Sequence, residues 1–210
     1  MFLRKFLLVI SILLVWLINQ SQAQVEINLS GAIEIPLDEL SWIYNPGKSA
    51  QLAVSFLDEY KKRRSSWGIN IGYSVATPKQ EVFYFPYSID NEVFFGTISY
   101  SDMQSFQLSS NFRSDFILSK HIEFFLGAEV GYHYISSSYD SDSYNDVSAT
   151  SIIGRVAISP KTGFAFMLTD NIGLNLQTRY NISIIAGGEV DDSKIVSFFW
   201  SNGAGVTLRF

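Results

Sequence analysis

Residues 171–183 read NIGLNLQTRYNIS, and along this stretch apolar and polar side chains alternate with a period of two. Successive side chains of a β-strand point to opposite faces of its sheet, so this alternation indicates a strand. One face would carry Ile172, Leu174, Leu176, Thr178, Tyr180 and Ile182. The other would carry Gly173, Asn175, Gln177, Arg179, Asn181 and Ser183. The stretch therefore predicts a long strand that lies between an apolar and a polar environment.

The same alternation recurs along most of the chain. It predicts eight strands, over residues 25–35, 49–57, 66–76, 104–118, 121–135, 152–168, 171–184 and 195–210. The connections are short at one end and long at the other, except for DEYKKRRSS at 58–66, which is long for a turn. This asymmetry is typical of transmembrane barrels, whose tilted strands need roughly nine to eleven residues. We therefore predict an all-β fold, a closed antiparallel up-and-down transmembrane β-barrel of eight strands, with ten as the alternative and no helix.

The first 23 residues have a different composition from the rest. They begin with the bases Arg4 and Lys5, continue with an apolar run from Phe6 to Ile18, and end in a polar tail. This is the pattern of a secretory signal peptide. The apolar run is too short for a transmembrane helix, which needs about 20 apolar residues. We expect cleavage after Ala23, which leaves residues 24–210 as one barrel domain.

Composition narrows the function. The absence of Cys from the sequence excludes a disulfide framework and a lipid anchor on Cys. The formal net charge of −5 becomes −7 when Arg4 and Lys5 are removed, and such an acidic exported domain is a poor candidate for binding nucleic acid. We expect no cofactor.

The two faces of the predicted strands differ in size as well as in polarity. Bulky apolar side chains lie on one face, whereas Gly, Ser, Asn and Ala are frequent on the other, which fits the narrow interior of an eight-stranded barrel. All ten charged side chains of these segments share the small polar face: Glu26, Glu34, Arg113, Asp115, Glu123, Glu129, Arg155, Lys161, Arg179 and Arg209. Five acids and five bases predict a paired network that plugs the interior, with the bulky face toward lipid.

Aromatic residues on the bulky face are spaced like the two edges of a membrane. Ten residues of a tilted strand climb roughly 25 Å, which is the height of the apolar band. This spacing predicts a girdle at the short-turn end, of Phe116, Phe124 and Phe210, and one at the long-loop end, of Phe106, Tyr134 and Trp200.

The last segment, VSFFWSNGAGVTLRF, carries apolar residues at every second position up to an aromatic residue, here Val206, Leu208 and Phe210. Through this segment and the alternation over 24–210, the chain resembles the outer-membrane β-barrel domain family of gram-negative bacteria, with a porin-like architecture. The resemblance implies a place in the bacterial outer membrane, surrounded by membrane lipid and lipopolysaccharide. It also implies that Val206, Leu208 and Phe210 form the insertion signal that the barrel-assembly machinery reads.

Few residues point to chemistry. The histidines His121 and His133 fall on the inward face, and no hydrolase or metalloprotease motif surrounds them. Three aspartates of one long loop, at positions 140, 142 and 146, could surround calcium, but the loop lacks the Gly and Glu of an EF-hand. We therefore predict no catalytic or metal site. The basic run KKRR at 61–64 is interpreted as a solvated turn, with lipid phosphates or a periplasmic protein as alternative contacts.

The long connection after the third strand contains EVFYFPYSIDNEVFFGTISY at 81–100. It either forms a hairpin above the membrane or supplies two further strands to the ring. An exposed aromatic patch indicates a binding surface. The candidate contact residues are Phe83, Tyr84, Phe85, Tyr87, Phe94 and Phe95.

These features predict a non-catalytic integral outer-membrane protein with a structural role in the envelope, or with adhesion or ligand contact through its long loops. Fold alone does not decide function, so two alternatives stay open. One is a secretion or transport accessory barrel with a periplasmic partner, as in barrel components that resemble PorT of the type IX secretion apparatus. The other, less favoured, is a lipid-modifying barrel enzyme.

Overall fold

The computed structural model describes residues 24–60, 63–89, 92–142, 147–185 and 196–210, so the predicted signal peptide lies outside the described residues. The described chain is almost entirely β-strand. The elements are β1 (Gln24–Pro36), α1 (Leu40–Ile43), β2 (Gly47–Tyr60), β3 (Arg63–Ala76), β4 (Phe83–Ile89), β5 (Glu92–Tyr100), β6 (Met103–Ser119), β7 (Ile122–Asp142), β8 (Val147–Met167), β9 (Ile172–Ile185) and β10 (Val196–Arg209). Among these residues no helix is long and apolar enough to cross a membrane.

Eight strands close into an antiparallel ring in the order β1, β2, β3, β6, β7, β8, β9 and β10. The ring closes where β10 pairs with β1, with Glu26 opposite Arg209 and Ile35 opposite Trp200. The prediction of an eight-stranded closed barrel is confirmed, and the alternative of ten strands in the ring is wrong.

The other two strands form a hairpin outside the ring. β5 pairs with the C-terminal end of β7, where Thr97 lies opposite Asp142 and Tyr100 opposite Tyr139. Among the described residues, β4 pairs only with β5. The rest of the same edge of β7 pairs with β6, beginning with Gln104 opposite Ser136. The hairpin therefore continues the wall of the barrel beyond the ring, on the side of the long connections.

Two local predictions are corrected. Residues 58–66 are not a long turn, because β2 and β3 continue their pairing to Tyr60 and Arg63. The first long connection contains the four-residue helix α1, although the sequence predicted no helix. Asp38 precedes α1 with a φ of 66°, and its carboxylate accepts a hydrogen bond from the Leu40 amide at 3.1 Å. A single turn that starts from one such residue is too short to produce helical periodicity in the sequence.

The strands present their apolar side chains outward and their polar side chains inward. Outward residues such as Leu29 and Leu176 are 60% and 54% exposed, whereas inward residues such as Asn70 and Thr207 are 1% exposed. A protein surrounded by water has the opposite arrangement, with its large apolar side chains mostly buried. The outside of the ring is therefore a continuous apolar belt.

The inward face is narrow enough to require glycine where strands approach each other closely. A Cβ atom on Gly131 or Gly163 would collide with the carbonyl oxygen of Leu108 or Leu176. The inward face is not uniformly small and polar, because Phe125 points inward and is 2% exposed. It fits there because its register partner Gly163 has no side chain.

Four of the predicted girdle residues, Phe106, Phe116, Phe124 and Tyr134, lie beside aromatic residues of neighbouring strands. At the short-turn end, the ring centroids of Phe116 and Phe124 are 6.2 Å apart and those of Phe124 and Phe164 are 5.3 Å apart. At the other end, Phe106 lies opposite both Tyr73 and Tyr134. These rows border the apolar belt.

Candidate functional site

Ion pairs link four strands inside the half of the barrel nearest the short turns. The Nε atom of Arg209 lies 2.9 Å from Glu26 Oε2, and its Nη2 atom lies 2.6 Å from Glu123 Oε2. Glu26 Oε1 in turn lies 2.7 Å from Nη2 of Arg113, whose Nε atom lies 2.7 Å from Asp115 Oδ1. All five residues are at most 8% exposed. This cluster also joins the two strands that close the ring.

A second cluster fills the middle of the barrel around Glu129. Its Oε1 atom lies 2.9 Å from Lys161 Nζ, and its Oε2 atom lies 2.9 Å from Arg179 Nη1. Arg179 Nη2 reaches Glu34 Oε1 at 3.0 Å, and the Asn70 amide donates a hydrogen bond to Glu129 Oε2 at 3.0 Å. Buried charges are tolerated when they are paired and hydrogen-bonded in this way.

The structure changes one member of the predicted network. Arg64, from the basic run that the sequence analysis assigned to a turn, lies on β3 and pairs with Glu123. Arg155 points inward and donates to Ser197 Oγ, but no described carboxylate lies within ion-pair distance of it. The reason is its position along β8, since Arg155 lies four residues from the register partner of Glu129, about 13 Å along the strand toward the long loops. The paired network thus contains five acids and five bases, with Arg64 and without Arg155.

Little free space remains in the middle of the barrel, although a recess of about 400 Å³ opens at its short-turn end beside Arg64, Glu123 and Arg209. Two interior cavities, one beside His133 and one between the two ion-pair clusters, each measure about 20 Å³. A cavity of this size holds about one water molecule. The described interior is therefore filled rather than open as a channel.

An apolar cap covers the end of the barrel that carries the long connections. It consists of Tyr44, Ala76, Met103, Ile135 and Phe199, with Leu40, Ile43 and Tyr100 packed against it. Tyr44 and Tyr100 meet edge to face at 6.3 Å, and burial raises the pKa of the Tyr44 hydroxyl above its usual value. Hydrogen bonds from Asn45 N to Thr77 O and from Lys79 N to Ile43 O fix the connection that carries Tyr44.

The hairpin of β4 and β5 presents two different faces. On the face toward the barrel axis the aromatic rings contact one another: Tyr87 and Phe94 stack at a centroid distance of 5.7 Å, and Phe83 and Tyr100 meet edge to face at 5.5 Å. On the opposite face Tyr84 is 76% exposed, Phe95 73% and Val93 65%. Of the six predicted contact residues, Phe83, Phe85, Tyr87 and Phe94 therefore lie on the face toward the barrel axis, where the rings contact one another. Val93, which the alternation of β5 places beside Phe95, was not among the predicted contact residues.

The fold of the ring is similar to that of solved structures. Neisserial surface protein A is 17% identical, with a TM-score of 0.53 over 90% of this chain and 98% of that one. The chain has the fold of the bacterial outer-membrane β-barrels. A major outer membrane protein of Thermus thermophilus is 15% identical, with a TM-score of 0.54 over 89% of this chain and 99% of that one.

A third structure, the outer membrane protease OmpT of Escherichia coli, is 11% identical, with a TM-score of 0.48 over 91% of this chain and 98% of that one. No protein-family model matches the chain, and no curated protein sequence matches it.

The remaining candidate residues of this barrel do not converge on a reaction centre. His133 is buried and its Nε2 atom has no hydrogen-bond partner, while His121 Nδ1 lies 3.0 Å from the carbonyl oxygen of Met167. Asp140 and Asp142 lie on β7, and Asp146 is outside the described residues. In the described ranges no three His, Cys, Asp or Glu side chains are grouped closely enough to hold a metal ion.

The other predicted residues lie at the ends of strands in the barrel wall. Val206 and Phe210 face outward, 41% and 70% exposed, and the Phe210 amide donates to Val25 O at 2.9 Å. Leu208, half-buried, shares their side of β10. The KKRR run divides: Lys61 and Lys62 lie outside the described residues, and Arg63 stands 5.7 Å over the outward ring of Phe116.

Proposed function

We propose that this chain is a non-conducting, non-catalytic protein of the gram-negative outer membrane that holds the hairpin of β4 and β5 above the membrane for contact with surface ligands. The observation that carries the proposal is the combination of an apolar belt outside the ring with an interior that is filled around a charge-balanced ion-pair network. Lipid is the environment that favours the belt, because each exposed apolar side chain would otherwise face water.

The filled interior argues against a transport role. A water-filled channel requires a wider barrel, and here the ion pairs around Glu26 and Glu129 occupy the axis. The apolar cap around Tyr44 closes the end with the long connections. A solute would have to displace both the cap and the ion pairs.

The hairpin supplies the surface for contact. It stands beyond the ring, and its outward face displays Tyr84, Val93 and Phe95, which are 76%, 65% and 73% exposed. Large exposed aromatic side chains are typical of binding surfaces. Because the short turns of such barrels face the periplasm, the hairpin would lie on the cell surface.

We also propose that the outward residues Val206, Leu208 and Phe210 serve as the insertion signal during assembly. Their position on the strand that closes the ring supports this role, since assembly must end with the pairing of β10 and β1.

The non-conducting role is tested in planar lipid bilayers. Purified protein should insert and give no steady conductance steps, while a sixteen-stranded porin inserted in the same way serves as the positive control. Large, long-lived steps that scale with the amount of inserted protein would overturn the proposal, because they require a continuous aqueous path.

A further inference from the structure

Arg155 is the inward base that the ion-pair network does not use. It is 6% exposed, its Nη1 atom donates to Ser197 Oγ, and its Nε atom has no hydrogen-bond partner. We propose that Arg155 and Ser197 form a binding site, at the end of the barrel with the long connections, for a small carboxylate that carries an apolar body.

A cavity of about 190 Å³ lies in front of this pair, between α1 and the ends of β8 and β10. Arg155 and Ser197 supply its donor groups, and the side chains of Leu40, Ile43, Val196 and Phe198 supply apolar walls. A cavity of this volume is smaller than the sites that hold drug-sized molecules and suits a ligand of a few carbon atoms.

The charge balance of the interior favours an anionic ligand at Arg155. The network below Arg155 contains five acids and five bases, so the charge of Arg155 is not compensated by it. A buried guanidinium is stabilised by an acid with two oxygens, because its N–H groups match a carboxylate in a bidentate arrangement. Of the possible donors of Arg155, only Nη1 has a described hydrogen-bond partner.

Two acids at the rim of the cavity restrict the ligand to one negative charge. Asp38 and Glu39 both line the cavity, and the charge of Asp38 acts on the Arg155 guanidinium without a described ion pair between them. The Asp38 carboxylate already accepts hydrogen bonds from the amides of Leu40 at 3.1 Å and Phe198 at 3.2 Å. Their negative charges repel an anionic ligand more strongly the more charge it carries, which favours a monocarboxylate over a phosphate dianion.

Titration by NMR tests the site in the protein held in deuterated detergent micelles. The probe is 3-methylbutanoate, with the neutral 3-methylbutanamide, the cationic 3-methylbutylammonium and inorganic phosphate as comparisons of charge. We expect saturable shifts of the Ser197 and Phe198 amide resonances with 3-methylbutanoate, and much weaker effects with the other three. Equal binding of the amide, the ammonium ion or phosphate would overturn the proposal, as would the absence of a saturable shift.

Variants connect the binding to Arg155. Arg155→Gln should weaken 3-methylbutanoate binding by about tenfold or more, because it removes a charge-assisted hydrogen-bonding group. Lys79→Gln is the matched control, since Lys79 is an exposed base at the same end of the barrel that does not line the cavity, and it should bind like the unaltered protein. Unchanged affinity in a folded Arg155→Gln variant would contradict the site.

Discussion

Arg179 joins acids from two distant strands, because its guanidinium contacts Glu34 on β1 and Glu129 on β7. We expect Arg179→Gln to lower the free energy of unfolding by about 3–5 kcal/mol, since it removes the described ion-pair partner of Glu34 and one of the two bases that pair with the buried Glu129. The measurement is urea-induced unfolding in lipid vesicles. Arg155→Gln is the matched control: it removes an arginine without an ion pair and should change the free energy by about 1 kcal/mol or less. Equal losses in the two variants would contradict the network.

Gly131 and Gly72 both lie on the inward face, but only at Gly131 do neighbouring atoms leave no room for a Cβ atom. A Cβ atom on Gly131 would collide with the backbone at Leu108 and Ser109, whereas one on Gly72 would meet the Gln51 side chain at an ordinary 3.4 Å. We expect Gly131→Ala to destabilise the barrel by about 1–3 kcal/mol, and Gly72→Ala to have a much smaller effect. Unfolding in vesicles measures both, and a larger effect of Gly72→Ala would show that the described packing is wrong.

Among the elements, the hairpin of β4 and β5 is dispensable for the ring. β4 pairs only with β5, and β5 pairs with the ring only through four residues of β7 from Tyr139 to Asp142. We expect a variant in which residues 82–99 are replaced by a short Gly-Ser linker to keep the heat-modifiable migration on detergent gels that a closed barrel shows. The double variant Tyr84→Ser and Phe95→Ser is the matched control, because it keeps the hairpin. Loss of the migration shift in the linker variant alone would mean that the ring depends on the hairpin.

The alternation of the sequence was sufficient to predict the eight ring strands, and the places where it failed have physical causes. β7 and β8 continue to Asp142 and from Val147, beyond the predicted ends at 135 and 152. Strands need alternating polarity only where one side meets apolar surroundings, and the serines at 136–138 carry no such signal although their backbone pairing continues. Whether β4 and β5 join the ring depends on which strand edges meet, which local periodicity does not determine.

Across the barrel as a whole, the sequence predicted which charges face inward but not which of them meet. Whether a residue has an odd or even position along its strand determines whether its side chain faces inward or outward. Which charged side chains pair also depends on their height along the barrel axis. Arg155 shares the inward face with Glu129 but lies nearer the long loops, and Arg64 was missed because its segment was interpreted as a turn. The apolar cap was likewise not predictable, because it brings together Tyr44, Met103 and Phe199 from distant parts of the chain.

Lipid outside the ring and side chains filling its inside are the two conditions on which the proposed function depends. The chain has no Cys, so single cysteines can be introduced along β9 without interference. Leu174 and Leu176 face outward, at 46% and 54% exposure, while Asn175 and Gln177 between and beside them face inward. A cysteine at Asp142, on the part of β7 that continues beyond the apolar belt, provides the reactive reference.

The decisive experiment measures the reactivity of these cysteines, in protein reconstituted in lipid vesicles, with a water-soluble thiosulfonate. We expect cysteines at 174, 175, 176 and 177 all to be protected, while the cysteine at 142 reacts. Reaction at 174 and 176 would show that water rather than lipid surrounds the ring, and reaction at 175 and 177 would show that its interior is open rather than filled.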